Sequence, residues 1–409
     1  MSLRVGGRRP ATAAELGLME GAPPPPAQHV TLANWLEGPF NRWGFQHASE
    51  LVPSAAVSRG DGPVLELPTA PADLDRVVLD GVAETPTLSE FLVDTYTDGF
   101  LVLREGAIRY ERYFNGMTPR SLHLLHSISK SFCGMATGSL VERGVLEVDG
   151  RVSTYVPELW DSGFGDATVG QLLDMTASVA FNEDYEDPDA EVQMQDRAAG
   201  WRPRRSDDPP HAYAFLASLR PRDAHGRAFQ YCSATTDVLA WVLERASGRR
   251  YQALLAEELW SRIGAEHDAA ITVDAAGFAF ANGGLSASLR DLARFGHLML
   301  HDGEIDGFRA VSPSWARRRL EGEPALVAGG EFAAAYPRGS YSTQWWCTGD
   351  DLGTFYGVGI YGQCVWIVPA ASTVIAKLSS LPRPLDPETT RDHHRAFRAL
   401  VAFLLESEV

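Results

Sequence analysis

Segments that read as β-strands stand at the two ends of this chain, and segments that read as helices fill its middle. Early on, Phe100-Leu-Val-Leu-Arg104 and Ala107-Ile-Arg-Tyr-Glu-Arg-Tyr-Phe114 flank Glu105-Gly106, the pattern of two strands joined by a tight turn. Late in the chain Tyr341–Cys347, Thr354–Tyr361, Gln363–Val368 and Thr373–Leu378 are β-branched or aromatic runs separated by Gly, Pro or Ser, and a helix follows through Ala396–Leu405. Between these ends, Ser129–Arg143 carries Phe132, Met135, Ala136 and Leu140 at helical spacing and stops at Gly144. Thr235–Ser247 stops at Gly248, Tyr251–Ile263 stops at Gly264, and Ser286–Leu300 opens on a serine that can cap it. Short connections favour antiparallel neighbours, so the economical fold is of the α/β (α+β) class: one antiparallel sheet built from the first and last segments, flanked by helices. This predicts a sheet-containing α/β domain over 29–160 and 285–409, an inserted, mainly helical domain over 161–284, and a cleft between them. Residues 1–28 are rich in Arg, Gly and Pro without periodicity and predict a mobile arm.

Composition narrows the function. With 409 residues and 45% apolar side chains, the chain can bury enough surface to fold without help. Its net charge of −17 repels phosphate backbones and anionic lipid heads, so neither nucleic acid nor membrane is expected as a partner. No window approaches the roughly 20 apolar residues of a spanning helix, and no apolar leader follows Arg4, Arg8 and Arg9, which predicts a cytoplasmic protein. Cys133, Cys232, Cys347 and Cys364 are scattered without a Cys-x-x-Cys pair, as reduced thiols would be, and neither metal nor cofactor is expected.

Ser127-Ile-Ser-Lys130 falls where the hairpin gives way to the first buried helix, placing the Ser127 hydroxyl at a helix N-terminus and Lys130 one turn on, on the same side. A lysine there can take the serine's proton if burial depresses its pKa; arginine cannot, because it does not deprotonate. Of 36 basic residues only Lys130 and Lys377 are lysine, so a lysine at this helix start points to a role in proton transfer.

Ser-x-x-Lys is shared by penicillin-binding proteins and class A β-lactamases, and the layout resembles that superfamily, with a β-lactamase-like antiparallel sheet. The nearer resemblance is to nylon-oligomer hydrolases (6-aminohexanoate-dimer hydrolases) and related carboxylesterases. It is carried by Asn41-Arg-Trp-Gly-Phe45, Pro53-Ser-Ala-Ala-Val-Ser-Arg59, His126-Ser-Ile-Ser-Lys-Ser131, Asn182-Glu-Asp-Tyr185, Asp196-Arg-Ala-Ala-Gly-Trp201, Phe229-Gln-Tyr-Cys-Ser233, Phe280-Ala-Asn-Gly-Gly284 and Gln344-Trp-Trp-Cys-Thr-Gly349. The resemblance implies that Tyr231 is the proton-shuttling phenol of a Tyr-x-Asn motif whose third position is here Ser233; alone, Tyr231 reads as a core aromatic. Gly357-Val-Gly-Ile-Tyr-Gly362 stands where β-lactamases carry Lys-Thr-Gly, without the lysine, which argues against β-lactam turnover. The N–H groups of Ser127 and Ile360 would form the oxyanion hole.

The resemblance also implies substrate contacts: Asp196 for the ammonium end of an aminohexanoyl group, Tyr185 beside the scissile amide, Asn282 on the opposite wall, and Tyr361 where these hydrolases have histidine. His394 matches a further pocket residue. Asp196 lies in a polar stretch over 182–210 with few apolar anchors, which predicts a mobile lid with Trp201 covering the substrate, while Arg202–Arg205 reads as a solvated charge run. The expected function is a serine hydrolase that forms an acyl-enzyme and cleaves linear aminohexanoate amides, with carboxylesterase activity and a possible homodimer. The alternatives are a carboxylesterase with little amide activity, or a penicillin-recognising protein that is acylated without turnover.

Overall fold

A computed structural model describes residues 9–328 and 330–407. Its main sheet contains β1 (Thr97–Arg104), β2 (Ala107–Tyr113), β3 (Ser340–Ser342), β4 (Trp345–Cys347), β5 (Phe355–Gly359), β6 (Gln363–Val368) and β7 (Thr373–Ser379). They pair antiparallel throughout in the order β2-β1-β7-β6-β5-β4-β3. The two ends of the chain therefore meet at the β1–β7 ladder, where Thr373 stands opposite Arg104 and Ala376 opposite Leu101.

Both faces of this sheet are covered, which is why its central strands are apolar at nearly every position rather than alternating. Leu101, Leu103, Val365, Ile367, Val374 and Ala376 enter one core; Phe100, Val102, Trp366 and Ile375, one residue out of phase, enter the other. Five helices position the cleft or seal the sheet: α1 (Ile128–Glu142), α2 (Glu191–Ala198), α3 (Ser233–Ser247), α4 (Leu289–Leu300) and α5 (Pro387–Glu406). On the first face, α4 approaches closely because Gly296 has no side chain; a Cβ there would stand 2.6 Å from a Val374 methyl. Phe397, Leu400, Val401 and Leu404 of α5 seal the other face. Helix α1 is buried from Ile128 to Leu140, so it needs no polar side.

A second, four-stranded sheet joins Ser54–Val57, Ala269–Thr272, Leu285–Ala287 and His123–Leu124 in that spatial order. Its last strand delivers the chain to the start of α1.

Several boundaries differ from the sequence expectation for identifiable reasons. The run Tyr341–Cys347 is a hairpin rather than one strand, because Thr343 and Gln344 both adopt positive φ. The cap of α4 is Ser288, whose hydroxyl accepts from the Asp291 N–H, while Ser286 lies in a strand. The expected helix Tyr251–Ile263 ends at Glu258 and continues as a short 3₁₀ turn. The expected strand Thr354–Tyr361 stops at Gly359, and Tyr361 turns into the left-handed region at φ 62°. The mobile-arm expectation fails over 9–28: Leu18 is buried with Val30 and Trp35, and the Ala13 N–H donates to Asn115. Residues 1–8 lie outside the described residues.

Candidate active site

Ser127 occupies the N-cap of α1 and does not cap with its side chain, which leaves its hydroxyl free for another use. His126, immediately before it, has φ +48°, an uncommon conformation that turns Ser127 toward the cavity between the sheet and the helical part. Strand β5 comes up against this turn because Gly359 carries no side chain: a Cβ there would sit 2.6 Å from the Leu125 carbonyl. That close approach accounts for the glycine better than contact between adjacent strands does.

One helical turn on, Lys130 is buried and its Nζ donates to Ser127 Oγ at 2.7 Å and to the Asn282 carbonyl at 2.9 Å. Burial pushes its pKa down to about 8, against the opposing pull of Glu183 and Asp237. The same Nζ lies 5.1 Å from the centre of the Tyr231 ring. Desolvation and Glu183 hold the Tyr231 phenol well above its ordinary range, while a hydrogen bond from Ser127 acts the other way. Ser127, Lys130 and Tyr231 thus converge from two segments about 100 residues apart.

Two acids that sequence reasoning did not single out complete the surroundings. Glu183 accepts from the Ser233 N–H at 2.8 Å, the Ser233 hydroxyl at 2.6 Å and the Tyr185 hydroxyl at 2.8 Å. Ser233, third in the Tyr-x-Asn-like motif, is therefore occupied with Glu183. Asp237, one turn further along α3, is fully buried, and burial pushes its carboxyl up to about 7. In an acidic chain no spacing distinguishes these two from the other 51 carboxylates; only the placement of Tyr231 and Ser233 at the start of α3 could have pointed to the inward-facing position four residues on.

Ser127 opens onto two compartments. The larger, about 330 Å³, is lined by Tyr231, Trp346, Val358, Cys364, Leu385 and His394 among others, with no Lys or Arg among its described lining residues. His394 Nδ1 lies 3.1 Å from the Tyr336 hydroxyl, and burial pushes its pKa down to about 4, so it is neutral at pH 7. The smaller compartment holds Asp196, Asn282, Tyr361, Trp201, His126 and Arg202, with free room of about 20 Å³, one or two waters. Tyr185 and Ile360 border both.

The small compartment corrects two expectations. Arg202 is not part of a solvated run: its Nε donates to Asp196 at 3.1 Å, although burial still raises the Asp196 carboxyl. Nor is the segment over 182–210 poor in anchors. It forms α2, buries the Arg197–Asp208 ion pair, and ties Trp201 down through its indole N–H to Thr272 Oγ1 at 2.9 Å and its carbonyl to the Trp35 indole at 2.8 Å. All four cysteines are buried and unpaired, and among the described residues no three His, Cys, Asp or Glu side chains are grouped as metal ligands.

A family model described as beta-lactamase matches residues 90–400. The chain belongs to the beta-lactamase family. Within that family it is 47% identical over 370 residues to the 6-aminohexanoate-dimer hydrolase of Paenarthrobacter ureafaciens, covering 90% of this chain and 91% of that one. A solved structure provisionally named a 6-aminohexanoate-dimer hydrolase, from Bacillus anthracis, is 30% identical and superposes with a TM-score of 0.85 over 93% of this chain and 98% of its own. A family VIII carboxylesterase at 19% identity shares the fold with a TM-score of 0.56, over 74% of this chain and 92% of its own. This beta-lactamase-family chain is a serine hydrolase with a β-lactamase-like antiparallel sheet and flanking helices. Among its described residues no helix is long and apolar enough to cross a membrane.

Proposed function

We propose that the protein hydrolyses linear amides of aminohexanoate oligomers through an acyl-enzyme on Ser127, and cleaves short acyl esters with the same machinery. The observation that carries the reaction is the contact at 2.7 Å between the buried Lys130 amine and Ser127 Oγ. The 47% identity to a 6-aminohexanoate-dimer hydrolase supports the substrate. Neutral Lys130 can keep one N–H on the Asn282 carbonyl and turn its lone pair to the Ser127 hydroxyl, in place of the N–H it gives Ser127 when charged. As Ser127 Oγ bonds to the substrate carbonyl carbon, its proton passes to Lys130, and the N–H groups of Ser127 and Ile360 take the charge that develops on the carbonyl oxygen. When the C–N bond breaks, the nitrogen needs a proton, which the Tyr231 phenol supplies and recovers from Lys130. Water then attacks the ester carbonyl, gives its proton to the same relay, and Ser127 Oγ leaves as the hydroxyl.

In this reading Asp196 and Asn282 receive the ammonium end, Tyr185 meets the amide, and Trp201 and Tyr361 wall the acyl chain. The larger compartment beside His394 takes the leaving half. The room beside Asp196 fits an ammonium group but not a six-carbon chain, so the chain runs from there toward Ser127 past Tyr185 and Ile360, which border both compartments. A homodimer in the cytoplasm completes the proposal; four unpaired cysteines support the compartment. Specificity constants for the aminohexanoate linear dimer and a short p-nitrophenyl ester test it. Turnover of both supports the proposal, and an ester-only enzyme makes the protein a carboxylesterase.

A further inference from the structure

Asp237 does not reach the cavity, yet three donors converge on its carboxylate. The Asn282 backbone N–H donates to Oδ1 at 3.0 Å, the Asn282 carboxamide Nδ2 to Oδ2 at 2.7 Å, and Gln195 Nε2 to Oδ2 at 2.6 Å. These bonds tie three segments together: α3, which begins just after Tyr231; the loop whose Asn282 carbonyl holds Lys130; and α2, where Gln195 adjoins Asp196.

The contact also settles which way the Asn282 carboxamide points. Above pH 7 Asp237 is ionised and accepts only, so the Asn282 NH₂ end faces it and Asn282 Oδ1 faces the small compartment, which Asn282 lines. No described side chain donates to that oxygen, and Gln195 Oε1 is buried without a partner because Gln195 too has turned its NH₂ to Asp237. The compartment therefore offers two acceptors to whatever enters, Asn282 Oδ1 and the Asp196 oxygen that the Arg202 Nε contact leaves open.

We propose that Asp237 is a positioning residue that sets substrate selectivity: by fixing the Asn282 carboxamide with its oxygen inward, it makes the Asp196 compartment a seat for a primary ammonium group. The inference rests on the aminohexanoyl reading of the site. It adds that the preference for a cation depends on a carboxylate that never touches the substrate. Replacing Asp237 by its amide puts an NH₂ against the two carboxamides. Both then gain by flipping, Gln195 because its orphaned oxygen finds a donor, and Asn282 turns its own NH₂ into the compartment, where it opposes an ammonium.

Two p-nitrophenyl esters, of 6-aminohexanoate and of hexanoate, differ only in the terminal ammonium. The ratio of their specificity constants cancels any change in the Ser127–Lys130 chemistry they share. Wild type should prefer the aminohexanoate, and D237N should lower that preference by about tenfold or more. The double variant D237N/N282D reverses the amide and the carboxylate, presents an acceptor to the compartment again, and should restore the preference. If D237N does not fold, Asn282→Ala decides, since it removes the inward oxygen while leaving Asp237 and the backbone carbonyl that holds Lys130 in place: a loss of the preference by about tenfold is expected, and an unchanged preference overturns the role of Asp237. A wild-type ratio near one defeats the aminohexanoyl reading itself. A clear wild-type preference that D237N retains, or that the double variant fails to recover, overturns the role of Asp237 and leaves that reading standing.

Discussion

Both lysines of this chain are buried, both donate to a serine, and burial depresses both, Lys130 to about 8 and Lys377 to about 7. Ser379, the partner of Lys377, is sealed inside the sheet, whereas Ser127 lines the cavity, so position rather than pKa separates the proposed base, Lys130, from Lys377. Lys130→Arg should cost nearly as much activity as Lys130→Ala, roughly a thousandfold, because a guanidinium cannot accept the serine's proton. Steady-state rates on a p-nitrophenyl ester check this, and substantial activity in the arginine variant would reduce Lys130 to a fixed cation. Lys130 must be neutral to act, so kcat/KM should rise with pH through an apparent pKa near 8 and level off above it. Glu183 and Asp237 from the helical part face this amine and hold it above where burial alone would put it, while the Cys133 and Cys232 thiols beside it stay neutral in this range. A profile flat between pH 6 and 9 would remove it from the rate law. For Tyr231→Phe, amide cleavage should fall at least tenfold further than ester cleavage, since only the amine leaving group needs the phenol's proton. Ser127 and Lys130 were legible because their spacing is local. Glu183 and Asp237 were not, because what marks them is convergence in space.

At the scale of elements, the site depends on how closely β5 approaches the start of α1. Ile360 follows directly on Gly359, so a methyl at 359 pushes the Ile360 N–H out of the oxyanion position proposed for it. Gly359→Ala should lower kcat on ester and amide alike by about tenfold or more with a smaller change in KM, which steady-state kinetics reads directly. A loss confined to KM would place the strand in substrate binding instead. The glycines at 357 and 359 were visible in the sequence, but the partner they approach lies more than 200 residues away, and no local pattern names it. Residues 182–210 misled for a related reason: their anchors, Trp35, Thr272 and the Arg197–Asp208 pair, are mostly distant or charged, so the segment read as loose.

Across the whole molecule, the two ends of the chain build one sheet and the intervening part supplies Asp196 from α2 and Tyr231 from the loop before α3, so the cleft exists only when the complete fold has formed. This architecture was readable because strand-like and helix-like runs are segregated along the chain. The tucked residues 9–28 were not, since Pro- and Gly-rich composition describes a chain without its neighbours. The larger compartment lacks any described Lys or Arg, so a β-lactam carboxylate finds no cation there, and nitrocefin should be hydrolysed at least a hundredfold more slowly than the preferred ester. Comparable rates would require a cation from outside the described lining. Everything proposed for this cleft depends on one nucleophile serving both amide and ester. The direct test is the rate of Ser127→Ala, verified as folded by circular dichroism, on the aminohexanoate linear dimer and on p-nitrophenyl hexanoate. A loss of several powers of ten on both is predicted, and more than a few per cent of wild-type rate retained on either would contradict a shared Ser127 nucleophile.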